Sequence, residues 1–94
     1  MKIKLTIEFK EDLIEIVKFI SKDKPLAAKK FHKEVVENIK KHASKPYNFK
    51  RSKYFDKENY RDYVFKGYAI ILRVEELEQV VFVMGIIKNK NSFF

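Results

Sequence analysis

The sequence contains no cysteine, which excludes disulfides, thiolate chemistry and cysteine-based zinc sites. An intracellular, cytoplasmic location fits that lack. Glycine and proline number two each, too few for a disordered or low-complexity chain. Long apolar runs are missing too. The longest, Val80 to Ile87, is strand-sized and falls short of the roughly 18 residues of a membrane span. The opening residues, Met1 to Phe9, alternate polar and apolar and hold no signal-peptide core. His32 and His42 are the only imidazoles, and both read as helix-surface or capping residues. No His, Cys or paired carboxylate falls near the strand ends. Neither a metal site, nor a cofactor, nor a nucleophile triad is expected.

What is present is positive charge and core-forming side chains. The chain has 94 residues, enough for one domain and not two. A domain of this size buries roughly two-thirds of the surface its unfolded chain exposes. Hydrophobic residues make up 46% and aromatics 15%, ample for one core. The formal net charge is +8. Such a field draws nucleic acid, acidic proteins or anionic membranes, and with no span-length apolar run the first two are the expected partners.

Hydrophobic spacing predicts α+β architecture. Ile3, Leu5 and Ile7 alternate with Lys4, Thr6 and Glu8, which predicts a half-buried strand. From Lys10 the period becomes helical: Leu13, Ile16, Val17 and Ile20 lie on one face, with Glu11 and Asp12 in the first turn. Pro25 suits the first position of a second helix, whose buried stripe is Ala28, Phe31, Val35 and Ile39. The short link predicts an antiparallel helical hairpin. Tyr47 to Asn59 is the least regular stretch. Tyr60 to Phe65, Tyr68 to Val74 and Val80 to Ile87 then read as three antiparallel strands. Gly67 supplies the positive φ of the first hairpin turn, and the doubly apolar middle strand is expected at the centre of the sheet. The order is β-α-α-β-β-β.

Two regions carry candidate chemistry. Lys50, Arg51 and Lys53 interleave with Tyr47, Phe49, Tyr54 and Phe55, a pattern that can grip phosphates and stack on bases. The same aromatics can instead pin an irregular loop to the sheet. A two-residue turn at Lys66 and Gly67 would pair Phe65 with Tyr68, Tyr63 with Ile70, and Arg61 with Leu72. Arg61 would then share a face with Tyr63 and Tyr68, where it could hold a phosphate bidentately. Arg73 has the opposite parity and should face away. Lys88 and Lys90 follow the last strand and matter to Arg61 only if they share its groove. Asp56, Glu58 and Asp62 are possible bases, but their spacing singles none out.

Several phrases, in this order, resemble the RelE/ParE family, the toxins of bacterial type II toxin–antitoxin modules. They are the opening strand, the Pro25 to Ala28 helix start, Pro46, Tyr60-Arg61, Gly67 to Val74, and Val80 to Ile87. The resemblance covers nearly the whole chain and implies a single domain over 1–94, a helical hairpin packed on a curved antiparallel sheet. It implies growth arrest relieved by a cognate antitoxin, in a toxin–antitoxin hetero-oligomer. RelE-like members cut messenger RNA on the ribosome; ParE-like members poison DNA gyrase. Arg61 matches a Lys or Arg of the RelE-type nucleases and Lys88 fits their basic exit, which makes these two the catalytic candidates. Lys50, Arg51, Lys53, Tyr68 and Lys90 are the target-binding candidates. Ala69 and Asn89 stand where those nucleases carry Arg, and no Tyr or His follows near the end. With the long second helix, this tilts the expected mode toward ParE-like action on gyrase. The alternatives are a RelE-like mRNA endoribonuclease and a degenerate module that keeps only antitoxin or nucleic-acid binding.

Overall fold

A computed structural model of the chain describes residues 1–89. The elements are β1 (Lys2–Leu5), α1 (Ile7–Ser21), α2 (Pro25–His42), a 3-10 turn (Pro46–Asn48), β2 (Lys50–Arg51), β3 (Tyr60–Phe65), β4 (Tyr68–Glu75) and β5 (Val80–Lys88). The terminal phenylalanines, Phe93 and Phe94, lie outside the described residues.

The first strand is shorter, and the first helix longer, than alternation predicts. Thr6 is the reason. Its hydroxyl accepts the Phe9 N–H at 3.1 Å, which caps the helix, and donates to Val83 O at 2.8 Å, which ties the helix start to β5. Ile7 therefore sits in the first helical turn, 69% exposed, and not on a strand. Glu8, not Glu11 or Asp12, supplies the first-turn acid. Asp12 lies further along and accepts the Ile86 N–H at 3.4 Å. A Cβ at Gly85 would come within 3.1 Å of that carboxylate, so glycine admits the close approach of α1 to β5. Thr6→Ala is expected to lose about 1–2 kcal/mol through the missing cap, read as a lower denaturation midpoint at unchanged slope.

The second helix follows the predicted stripe. Pro25 is its first residue, and Ala28, Phe31, Val35 and Ile39 are buried. The strands assemble in the order β1-β5-β4-β3-β2. β4 is central, and Ala69, Ile70, Ile71 and Leu72 are all buried. Lys66 and Gly67 both take positive φ, at 50° and 83°, as a primed two-residue turn requires. The resulting register pairs Phe65 with Tyr68, Tyr63 with Ile70 and Arg61 with Leu72, as expected. A register shift at Ile71/Leu72 leaves Met84 as an extra residue on β5, and such a bulge bends the sheet.

Two features of the sheet go beyond the sequence reading. β1 pairs with β5 in parallel, Lys2 against Val80 to Leu5 against Val83, so the sheet is mixed. Inside the irregular stretch, β2 adds an edge strand antiparallel to β3, with Lys50 opposite Asp62 and Arg51 opposite Arg61. Tyr63, Ile70, Leu72, Val81 and Val83 pack with Phe9, Leu13, Phe31, Val35 and Ile39 into the core between sheet and helices. The alternate residues of β3 and β4, including Asp62, Val64 and Ala69, turn to the opposite face.

Candidate functional site

The basic-aromatic stretch is held by Arg61. Arg61 Nη1 donates to Phe49 O at 3.2 Å, and Nη2 donates to Glu58 O at 3.1 Å and to Glu58 Oε1 at 2.6 Å. The guanidinium also lies 4.7 Å from the Tyr47 ring centre. Its side chain is only 14% exposed. Arg51 lies directly opposite on β2, and two like charges so placed repel. Glu58 offsets this: its second oxygen is 3.9 Å from Arg51 Nη1, and Asp56 takes Arg51 Nη2 at 2.8 Å. The aromatics pin the stretch as well. Phe49 stacks on Tyr63 at 4.6 Å, and Phe55 on Tyr60 at 4.7 Å. Desolvation, then the Glu76 carboxylate bonded to it, raises the Tyr47 hydroxyl above the usual tyrosine value.

Lys50, Arg51 and Lys53 line one cleft of about 380 Å³ with Asp62, Val64 and Ala69, on the face away from the helices. Asp62 Oδ2 accepts the Lys53 N–H at 2.8 Å. Asn89 closes one end; its N–H donates to Gly67 O at 2.9 Å and its side chain accepts from the Tyr54 hydroxyl at 3.2 Å. Lys90 lies outside the described residues.

Tyr68 and Lys88 belong elsewhere. They are cross-strand partners, with Lys88 Nζ 5.8 Å from the Tyr68 ring centre. They line a groove of about 480 Å³ beside α1, together with Asp12, Glu15 and the exposed Phe19. Tyr68 also packs on Phe31 at 5.4 Å. Arg61 is on β3 and Lys88 on β5, with β4 between them. Their partners on β4, Leu72 and Tyr68, are four positions apart, about 13 Å along the strand. Arg61 and Lys88 do not share a groove. Arg73 does face away from Arg61, paired with Glu75 and lying 4.6 Å from the Phe82 ring centre. At the β3–β4 turn, a 2.5 Å bond from Lys66 holds the Glu34 carboxyl of α2 below the usual glutamate value.

Asp62 and Glu58 are the residues that sequence reasoning did not single out. Both acquire meaning through β2, whose two residues leave no periodic signal. Among the described residues, no group of three His, Cys, Asp or Glu is placed to hold a metal ion, and no helix is long and apolar enough to cross a membrane.

A helical hairpin on a five-stranded sheet with basic surface stretches is the fold of a bacterial toxin–antitoxin structure. A chain described as the chromosomal ParDE TA system from P. aeruginosa superposes with a TM-score of 0.77 at 18% identity, covering 96% of this chain and 97% of that one. The family model for the ParE toxin of the type II toxin–antitoxin system, parDE, matches residues 3–93. The chain belongs to that family. No curated protein sequence matches it.

Proposed function

We propose that the chain is a growth-arresting toxin that acts on DNA gyrase in the cytoplasm and is held inactive in a hetero-oligomer by its cognate antitoxin. Family membership supports the toxin role and the antitoxin partner. The choice of gyrase over the ribosome rests on one observation. The two residues that a RelE-like nuclease would use, Arg61 and Lys88, lie on strands separated by β4, and the Arg61 guanidinium is occupied by Phe49 and Glu58. Both terminal nitrogens are already bonded, to two backbone carbonyls and a carboxylate, and the one nitrogen without a partner, Nε, is buried, which disfavours a bidentate grip on a scissile phosphate. Ala69 and Asn89 supply no replacement cation.

Induction in a bacterium, with plasmid supercoiling and protein synthesis followed separately, tests the reading. Supercoiling is expected to fall first and growth to stop, with recovery when the antitoxin is co-expressed. Early loss of protein synthesis with gyrase intact would instead mark a RelE-like ribonuclease. Normal growth under strong expression would mark a degenerate module.

A further inference from the structure

Asp62 is 8% exposed, and its Oδ1 has no hydrogen-bond partner. The other oxygen is committed to the Lys53 N–H. A buried carboxylate oxygen without a donor is uncommon in a folded protein, and it asks what should bond there. The surroundings narrow the answer. Lys50 is the direct cross-strand neighbour of Asp62, and Lys53 follows on the same cleft. Arg51 is engaged by Asp56 and Glu58, whereas Lys50 and Lys53 carry no ion pair among the described residues. Val64 and Ala69 form an apolar floor. The volume, about 380 Å³, suits one small ligand and not a folded element.

A ligand that completes this cleft brings an N–H donor for Asp62, a flat apolar body for the floor and an anion for the two lysines. A basic peptide offers the donor, but Lys50 and Lys53 repel it. A nucleotide with an amino-bearing base offers all three. We propose that the cleft binds a single nucleotide, the exocyclic amine of the base donating to Asp62 Oδ1 and the phosphate lying against Lys50 and Lys53. Uracil fits poorly, because its one ring N–H donor sits between two carbonyl oxygens that the carboxylate repels. Free nucleotides and nucleotides within a single strand share this chemistry. The proposal does not rest on gyrase being the target.

The test is a titration of the ¹⁵N-labelled full-length chain with AMP, CMP, UMP, inorganic phosphate and a short single-stranded oligo(dA). AMP and CMP are expected to shift the Lys53 and Asp62 amides and to bind about tenfold tighter than UMP, one charge-assisted hydrogen bond being worth about that factor. Inorganic phosphate should bind more weakly than either. Asp62→Asn can keep an oxygen on the Lys53 N–H and present its amide N–H₂ to the cleft, so AMP should weaken about tenfold and UMP should gain. Lys50→Gln, which removes the charge without setting a carboxylate opposite Asp62, should weaken every nucleotide while keeping AMP ahead of UMP. Oligo(dA) binding at least as tightly as AMP identifies a strand as the ligand, and AMP binding alone identifies the free nucleotide; both support the proposal. Equal binding of AMP and UMP overturns it. So does phosphate matching AMP, unchanged AMP binding by folded Asp62→Asn, or no binding by any probe.

Discussion

Arg61→Ala is expected to lower stability by about 2–3 kcal/mol and to free the 47–58 stretch before the rest of the domain unfolds. The variant strips a donor from Phe49 O, one from Glu58 O and the cation from the Glu58 carboxylate. Hydrogen bonds to a charged group are worth about 1.5–3 kcal/mol each, and the exposed Glu58 carboxylate recovers part of its loss from water. For a domain of this length the change corresponds to a melting shift on the order of 10–20 °C. Lys50, Arg51, Lys53 and Lys57 make the stretch a set of tryptic sites. Trypsin should cut there in Arg61→Ala well below its melting temperature and leave the folded parent intact. Arg61→Lys should recover only part of the protection, because an ammonium cannot fork between two carbonyls and lie flat on Tyr47. Unchanged tryptic protection with a midpoint shift under about 0.5 kcal/mol would remove Arg61 from this anchoring role. Loss of toxicity in Arg61→Ala is therefore not evidence of catalysis unless the variant's loop is shown to be ordered.

Phe9→Ala is expected to have a larger effect on the fold and none that is local to the basic surface. Phe9 is 1% exposed and packs in the core cluster with Leu13, Val35, Val81 and Val83. Truncating a buried phenylalanine costs about 3–5 kcal/mol, part from lost transfer energy and part from the cavity left behind. Native domains hold only about 5–15 kcal/mol in total. The variant should unfold at sharply lower denaturant and accumulate poorly in cells, losing toxicity through abundance. Denaturation with the denaturant slope checked against the parent measures this directly. A shift below about 1 kcal/mol would mean that the site collapses around the smaller side chain. The two variants thus separate two routes to inactivity. One loosens the basic stretch on an intact core, and the other removes the core.

Much of the architecture was legible because its signals are local. The α2 stripe needs only helical spacing. The β3–β4 register needs only the two-residue turn at Lys66 and Gly67, since turn length dictates which residues face one another. That is why the pairing of Arg61 with Leu72, and the opposed facing of Arg73, could be stated in advance. Where a local pattern fitted two structures, sequence reasoning took the wrong one: alternation through Ile7 continues the strand on paper, but Thr6 has long-range business with Val83 that ends it. The parallel β1–β5 pairing joins residues at opposite ends of the chain and leaves no periodic trace.

The sequence by itself determined the α+β class, the helical hairpin, the central strand, the family and the absence of thiol chemistry. The family follows from the resemblance of several phrases in order, and the rest from composition, spacing and short turns, which each act over a few residues. The tertiary structure alone decided which charged groups of the surface lie together. It added β2, which placed Lys50 against Asp62 and Arg51 against Arg61. It bonded Arg61 to Phe49 and Glu58, set Lys88 two strands away, and left one buried oxygen of Asp62 without a hydrogen-bond partner beside a basic cleft. The reason is that a charged side chain takes its role from the groups around it. Here those groups are supplied by chain segments brought together only by folding.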